Sequence, residues 1–202
     1  GLVPGLANWA TAESNFGMRN ILANVGGIHR EAALPKYHGK TFMDRAADSP
    51  AVNANAPGHG RGVVIYATCF ANYNEPAMGT AARAVLAQSG VESQVVYPAC
   101  CGMPQWEQGN LEQVAKNARK IAAEMAGWID RGNAVIALVP SCALMLKFEW
   151  PLLLPDNEDV AQLSENTYDI TEYMVALAKE DGLADGLATL EGGVTLHLAC
   201  HA

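Results

Sequence analysis

Short apolar runs alternate with helical segments from residue 61 onward, and this alternation restricts the fold more than any other feature of the chain. Four runs rich in β-branched and other apolar residues predict strands, at 62–67, 93–97, 134–139 and 194–199. Helical patterns lie between them, at 76–88, at 110–131, from near Ser141, and at 159–180. Strands that alternate with helices form βαβ units, so we expect an α/β fold with a doubly wound, mainly parallel sheet and helices on both faces.

The N-terminal part of the chain does not follow this pattern. An apolar-periodic segment from Trp9 to Val25 predicts one short helix, and a loop rich in Ala, Asn, Pro and Gly follows it. We therefore expect residues 1–60 to form a helical and extended arm or linker that precedes an α/β domain at 61–202. The arm lacks the Lys/Arg-rich face of a helix that lies on a membrane, so docking onto a partner subunit is the better interpretation.

Composition and charge argue against several classes of function. The 202 residues carry a formal net charge of −8 and no basic run, whereas nucleic-acid binding needs a Lys/Arg surface that neutralises phosphates. No run approaches the roughly 20 apolar residues of a membrane-spanning helix, so we expect no transmembrane segment. The five cysteines are odd in number and grouped at motifs. This usage indicates metal or redox ligands in a reducing compartment, for which we expect the cytoplasm.

Every cysteine lies just beyond the carboxyl end of a predicted strand. Cys69 follows the first strand, Cys100 and Cys101 follow the second, Cys142 follows the third and Cys200 follows the fourth. The loops at this edge of an open parallel sheet converge, and ligands bind there. The alternative is that the cysteines are small core hydrophobes, but that role would place them inside the strands. The pattern therefore predicts a shared ligand site.

The vicinal pair Cys100-Cys101, followed by Gly102, indicates which kind of site this is. Neighbouring side chains on an irregular backbone diverge, so two vicinal thiolates reach two atoms of a polynuclear cluster more easily than they chelate one ion. Gly102 allows a positive φ that brings backbone N–H groups close to cluster sulfurs. These features favour an iron–sulfur cluster, with a structural zinc ion as the alternative.

The residues around the cysteines resemble a known family. Cys69, Cys100-Cys101-Gly102 and Cys142 are similar to the CCG, or cysteine-rich, domain found in heterodisulfide reductase and in anaerobic glycerol-3-phosphate dehydrogenase, in an iron–sulfur subunit of each complex. The segments Tyr66-Ala67-Thr68-Cys69 and Val139-Pro140-Ser141-Cys142 add to this likeness. The resemblance runs over most of residues 61–202.

This resemblance implies an iron–sulfur electron-transfer subunit of an oxidoreductase like either of those two complexes. Cys69, Cys100, Cys101 and Cys142 would hold the cluster, expected as [4Fe–4S], with Gly102 beside it. The implied partner is a flavin-containing dehydrogenase or reductase subunit, and the implied acceptor is a quinone at the membrane surface or a disulfide. The resemblance also implies a cytoplasmic protein. Peripheral attachment to the inner face of the membrane is the alternative.

Two positions depart from the family pattern. Family repeats end in Cys-x-x-Cys, but this chain has Met145 in place of the second of those cysteines. The remaining four thiolates suit an ordinary [4Fe–4S] cluster, whereas an open coordination position would allow direct reduction of a disulfide, which is the alternative function. Cys200 and His201 resemble the start of a second CCG repeat, and His197 fits a core or rim histidine of the same strand. We therefore expect a fragment of a two-repeat protein, with Cys200 as a ligand of an incomplete second motif.

Overall fold

The computed structural model describes residues 3–186, 188 and 191–195 of the chain. Within these residues one sheet contains four strands, β1 (Gly62–Tyr66), β2 (Glu92–Val96), β3 (Ala134–Ala137) and β4 (Thr167–Asp169). All neighbouring strands are parallel, in the order β2-β1-β3-β4. The predicted α/β fold with a doubly wound parallel sheet is confirmed.

Helices precede the sheet and connect its strands. Those before β1 are α1 (Pro4–Thr11), α2 (Phe16–Gly26) and α3 (Phe42–Arg45). The β1–β2 connection contains α4 (Cys69–Tyr73) and α5 (Pro76–Gln88), and the β2–β3 connection contains α6 (Met103–Glu107) and α7 (Leu111–Ile129). The β3–β4 connection contains α8 (Pro140–Leu144), a π-helical turn (Met145–Glu149), α9 (Trp150–Leu153) and α10 (Glu158–Asn166), and α11 (Ile170–Glu180) follows β4. No helix in this part of the chain has both the length and the apolar character that crossing a membrane requires.

Helices cover both faces of the sheet, as the side chains of β1 illustrate. Val63 and Ile65 face a core formed with α3, α4, α5 and α11. Val64 and Tyr66 face the opposite core, formed with α7, α9 and α10. Successive strand residues point to opposite faces, so a strand that is buried on both sides has a continuous apolar sequence. This burial explains why β1 could be predicted from sequence.

The prediction of one helix over 159–180 is wrong. The chain forms α10, the short strand β4 and then α11. Thr167 and Tyr168 are of residue types that favour strands, and here they pair with β3. Asp169 then begins α11 with a capping box that includes Glu172. This Asp-x-x-Glu signature is visible in the sequence and marks the start of a second helix.

The strand predicted at 194–199 is not the fourth strand of the described sheet. Val194 and Thr195 do not lie in a strand. The remainder of that segment lies outside the described residues, as do Cys200 and His201. The prediction of a second, incomplete CCG motif therefore stays a prediction.

The N-terminal arm contains three helices in its described part, α1, α2 and α3, where the sequence predicted one. The predicted helix is divided between α1 and α2 at Asn15, because the Asn15 side chain accepts a hydrogen bond from the backbone N–H of Met18 and so begins α2. Gly27 ends α2 in the left-handed conformation, with φ of 67°. Further along the chain, Phe42 of α3 is fully buried in the core that contains β1. The end of the arm therefore packs against the sheet.

Arg83 of α5 holds the loop that follows α3. Its guanidinium donates to the carbonyls of Ala46 and Asp48 at 3.1 and 3.0 Å, and to the hydroxyl of Ser49 at 3.0 Å. The same side chain donates to the hydroxyl of Ser93 in β2 at 3.3 Å. Burial lowers the pKa of Arg83, and these hydrogen bonds offset part of the cost of burying its charge. They tie the loop to the sheet.

Candidate metal centre

Four cysteine side chains come together at the carboxyl edge of the sheet. Cys69 begins α4 directly after β1, Cys100 and Cys101 lie in the loop after β2, and Cys142 lies in α8 after β3. The strand order places β1 between β2 and β3, so the loops that follow these three strands are neighbours. The chain winds in opposite directions from β1, and such switch points are where open α/β sheets bind ligands.

The four sulfurs form two contacting pairs. The Sγ atoms of Cys69 and Cys100 are 3.7 Å apart, and those of Cys101 and Cys142 are 3.1 Å apart. Cys100 also contacts Cys101, so the thiols form a continuous row. All four are free thiols. Among the described residues, no three His, Cys, Asp or Glu side chains surround one point as the ligands of a single ion do.

The two pairs differ in their burial. Cys101 and Cys142 are 2% and 5% exposed and belong to the core beside α7. Cys69 and Cys100 are half-buried and lie toward the surface. The row therefore runs from the core of the domain to its rim, and a group bound along it would have one sheltered end and one accessible end.

Local sequence explains how each cysteine reaches this edge. The Thr68 hydroxyl accepts a hydrogen bond from the Ala71 backbone N–H at 3.1 Å, which begins α4 at Cys69. Pro140 begins α8, where its fixed φ suits the first helical turn and places Cys142 near the strand end. Gly102 has a φ of 88°, the left-handed conformation expected from its sequence context, and turns the chain from the vicinal cysteines into α6.

Three side chains that the sequence analysis did not identify hold the loop of the vicinal cysteines. The hydroxyl of Tyr66 donates to the carbonyl of Ala99 at 2.7 Å. From α7, the Asn117 amide donates to the carbonyl of Cys100 at 3.2 Å, and the Lys120 ammonium donates to the carbonyl of Pro98 at 3.0 Å. The spacing of Asn117 and Lys120 on one helix face is visible in the sequence, but the loop that they contact is not.

The Tyr66→Phe variant should lose about 1 kcal/mol of unfolding free energy, because the carbonyl of the half-buried Ala99 loses its hydrogen-bond donor. Urea unfolding followed by circular dichroism measures this change. Tyr37→Phe is the matched control, because Tyr37 is exposed and the loss of its hydroxyl should change the free energy by less than about 0.5 kcal/mol. Equal stability of the two variants would contradict a positioning role for Tyr66.

The crowding of the thiols determines their protonation. Contact with Cys100, and then burial, raises the pKa of Cys69, and contacts with Cys100 and Cys142 raise the pKa of Cys101. The pKa of Cys100 is lowered, because the neighbouring Cys101 and Cys69 thiols stabilise its thiolate. These directions favour a thiolate at Cys100 between protonated thiols at Cys69 and Cys101. Ionising the whole set requires added positive charge, which a bound metal supplies, so the donor set fits a metal cluster.

Buried residues close the inner side of the row. Met145, which stands where the family pattern has a cysteine, is fully buried in the same core as Cys101 and Cys142. Met103 and Trp106 pack against this core as well. Burial raises the pKa of Tyr66, and the nearby thiols add to the shift. This surrounding is apolar, which limits solvent access to any bound group and so affects its reduction potential.

A parallel α/β sheet with a cluster of cysteines at its carboxyl edge defines a cysteine-rich domain. Residues 63–147 match the family model for this class, the cysteine-rich domain CCG. The matched region includes Cys69, Cys100, Cys101 and Cys142, so this part of the chain belongs to the CCG family and the resemblance seen in the sequence is confirmed. The match supports a metal- or cluster-binding role.

The chain is also similar to curated proteins that share one name. Lactate utilization protein A of Bacillus pumilus and that of Bacillus licheniformis are each 30% identical to it over 146 residues, which make up 69% of this chain and 57% of each relative. Lactate utilization protein A of Macrococcus caseolyticus is 30% identical over 145 residues, 69% of this chain and 56% of the relative. The chain thus spans a little over half the length of these relatives. No solved structure matches it at a significant level.

Proposed function

We propose that this chain is the cluster-binding part of an iron–sulfur electron-transfer subunit in an oxidoreductase complex. The observation that supports this most directly is the row of four thiols, which three separate loops bring to the switch point of the sheet. Cys69, Cys100, Cys101 and Cys142 would be the ligands. A [4Fe–4S] cluster bound there would accept and release electrons one at a time.

The arrangement of the thiols suits a cluster better than a single ion. A row of sulfurs offers ligands to several iron atoms, whereas a structural zinc ion needs four ligands around one point. The buried pair Cys101 and Cys142 would fix the inner side of the cluster. The half-buried Cys69 and Cys100 would lie on the side through which electrons enter and leave. Phe70, next to Cys69, is 42% exposed and offers an apolar contact for a partner protein at this rim.

The relatives and the family resemblance support a proposal for the partner and the substrate. The name of lactate utilization protein A supports a donor that oxidises lactate or a similar small organic acid. We propose a flavin-containing dehydrogenase or reductase subunit as the partner, within a complex like heterodisulfide reductase or anaerobic glycerol-3-phosphate dehydrogenase. The acceptor would be a quinone at the inner face of the membrane or a disulfide. The reducing environment that free thiols need favours the cytoplasm.

Metal and acid-labile sulfide analysis of the chain purified without oxygen tests this proposal. We expect about four irons and four sulfides per chain, and an EPR signal that appears or disappears on reduction with dithionite. Zinc without sulfide would replace the proposal with a structural metal site. Metal-free protein after reconstitution with iron and sulfide would also contradict it. A signal that changes when a thiol or disulfide substrate is added would favour disulfide reduction at the cluster.

A further inference from the structure

The two contacts between Sγ atoms divide the four thiols into two specific pairs. Cys69 approaches Cys100, and Cys101 approaches Cys142, at 3.7 and 3.1 Å between Sγ atoms. A disulfide bond is about 2.05 Å long, so each pair needs a further approach of less than about 2 Å. Each pair is therefore poised for disulfide formation when no metal separates its sulfurs.

We propose that the metal-free chain reduces hydroperoxides by forming two disulfides, Cys69–Cys100 and Cys101–Cys142. In each reaction one thiol sulfur attacks the peroxide, becomes a sulfenic acid and releases water or an alcohol. The partner thiol then attacks that sulfur, the S–S bond forms and the sulfenic oxygen leaves as water. Two electrons pass from the two sulfurs to the peroxide, which is reduced. A small dithiol such as dithiothreitol restores the thiols by thiol–disulfide exchange.

The observed pairing argues against a disulfide between the adjacent Cys100 and Cys101, which is the bond that the sequence alone would suggest first. Cys100 and Cys101 are adjacent in the chain, and adjacent Cα atoms are about 3.8 Å apart, closer than the roughly 4.4–6.8 Å of ordinary disulfides. A vicinal disulfide would therefore strain the loop. Each of these two cysteines has instead a partner from another loop, at a sequence separation of 31 residues for Cys69–Cys100 and 41 for Cys101–Cys142.

Burial sets the order of the two reactions. Cys69 and Cys100 are half-buried at the rim, whereas Cys101 and Cys142 are 2% and 5% exposed. A hydroperoxide in solution reaches the rim pair first, so that pair forms its disulfide faster. Both disulfides also keep the sulfurs from oxidation to sulfinic acid, which is irreversible in most proteins. The chain would thus retain its ability to bind metal after reduction.

The test treats the full chain, stripped of metal with a chelator and kept anaerobic, with hydrogen peroxide. Thiols are then counted and disulfide-linked peptides are mapped by mass spectrometry. We expect four of the five thiols to disappear in two phases, with the Cys69–Cys100 link formed before the Cys101–Cys142 link. Dithiothreitol should restore the thiol count.

Two matched variants assign the partners, because Cys100 and Cys101 lie in one peptide. In Cys100→Ser the remaining Cys101 should still link to the Cys142 peptide, and the fast phase should vanish. In Cys101→Ser the remaining Cys100 should still link to the Cys69 peptide, and the slow phase should vanish. A Cys69–Cys101 or Cys100–Cys142 link in these variants would contradict the pairing. A vicinal Cys100–Cys101 disulfide, a Cys69–Cys142 link, or oxidation to sulfinic acid without links would overturn the proposal.

The disulfide experiment uses metal-free protein, so its outcome does not depend on whether the proposed cluster binds. A chain that forms both disulfides but never takes up iron and sulfide would refute the electron-transfer function alone. A chain that binds a cluster but forms neither disulfide after metal removal would refute the peroxide reaction alone. If the chain binds a cluster and also forms the two disulfides, the oxidised chain should take up less than a tenth of the iron that the reduced chain takes up.

Discussion

The Cys101→Ser variant should bind less than about a tenth of the iron and sulfide that the unmodified chain binds. A serine hydroxyl does not ionise near neutral pH, so it does not replace a thiolate ligand. Cys101 is the most buried thiol of the row and contacts both Cys100 and Cys142. Its loss would therefore interrupt the row at its centre. Iron and acid-labile sulfide per chain, measured after anaerobic reconstitution, give the result directly.

Cys200→Ser is the matched control for this variant. Cys200 lies outside the described residues, and the sequence assigns it to a second, incomplete motif. Its replacement should leave the iron and sulfide content unchanged. Full iron content in Cys101→Ser, or equal losses in both variants, would show that the row of four thiols is not the cluster site.

Truncation of Trp150 should cause the largest loss of stability that we expect from a side chain outside the cysteine row. The Trp150→Ala variant should lose about 3–5 kcal/mol of unfolding free energy, because the removed indole leaves a cavity in the core. Trp150 is fully buried and shares its core with Cys101 and Cys142. Urea denaturation at constant protein concentration measures the loss, and the exposed Trp9, changed to Ala, should cost less than about 1 kcal/mol.

The Trp150→Phe variant separates the volume of this side chain from its polarity. The indole Nε1 of Trp150 has no hydrogen-bond partner among the described residues. Phenylalanine keeps most of the apolar volume and removes this unsatisfied donor, whose burial costs about 1–3 kcal/mol. Trp150→Phe should therefore be much more stable than Trp150→Ala. Similar losses in the two variants would mean that Nε1 makes a stabilising contact.

The parts of the fold that could be predicted from sequence are those with strong local signals. The strand β1 is a buried apolar run, and α5 is bounded by Pro76 at its start and by Ser89-Gly90 after its end. The position of Cys69, Cys100, Cys101 and Cys142 also follows from local pattern, because the ends of β1, β2 and β3 are marked in the sequence. In a parallel sheet these ends lie at one edge, whatever the order of the strands.

Tertiary context determined what the sequence did not predict. The strand β4 is three residues long, too short for a periodic pattern, and its pairing with β3 stabilises it. The pairing of Cys101 with Cys142, rather than with its neighbour Cys100, depends on how α8 follows β3. The contacts of Tyr66 and Asn117 with the cysteine loop likewise require the folded positions of β1 and α7.

The distribution of the thiols over three loops links cluster binding to the folding of the whole sheet. The loops are far apart in the chain and become neighbours when β2, β1 and β3 pair, which requires contacts between residues distant in sequence. A cluster would therefore enter a sheet that has already formed, and would then cross-link three βα units at once. Its binding free energy would add to the cooperative stability of the native state. Loss of the metal would consequently weaken the domain as a unit rather than at one edge, and would expose the apo form to degradation.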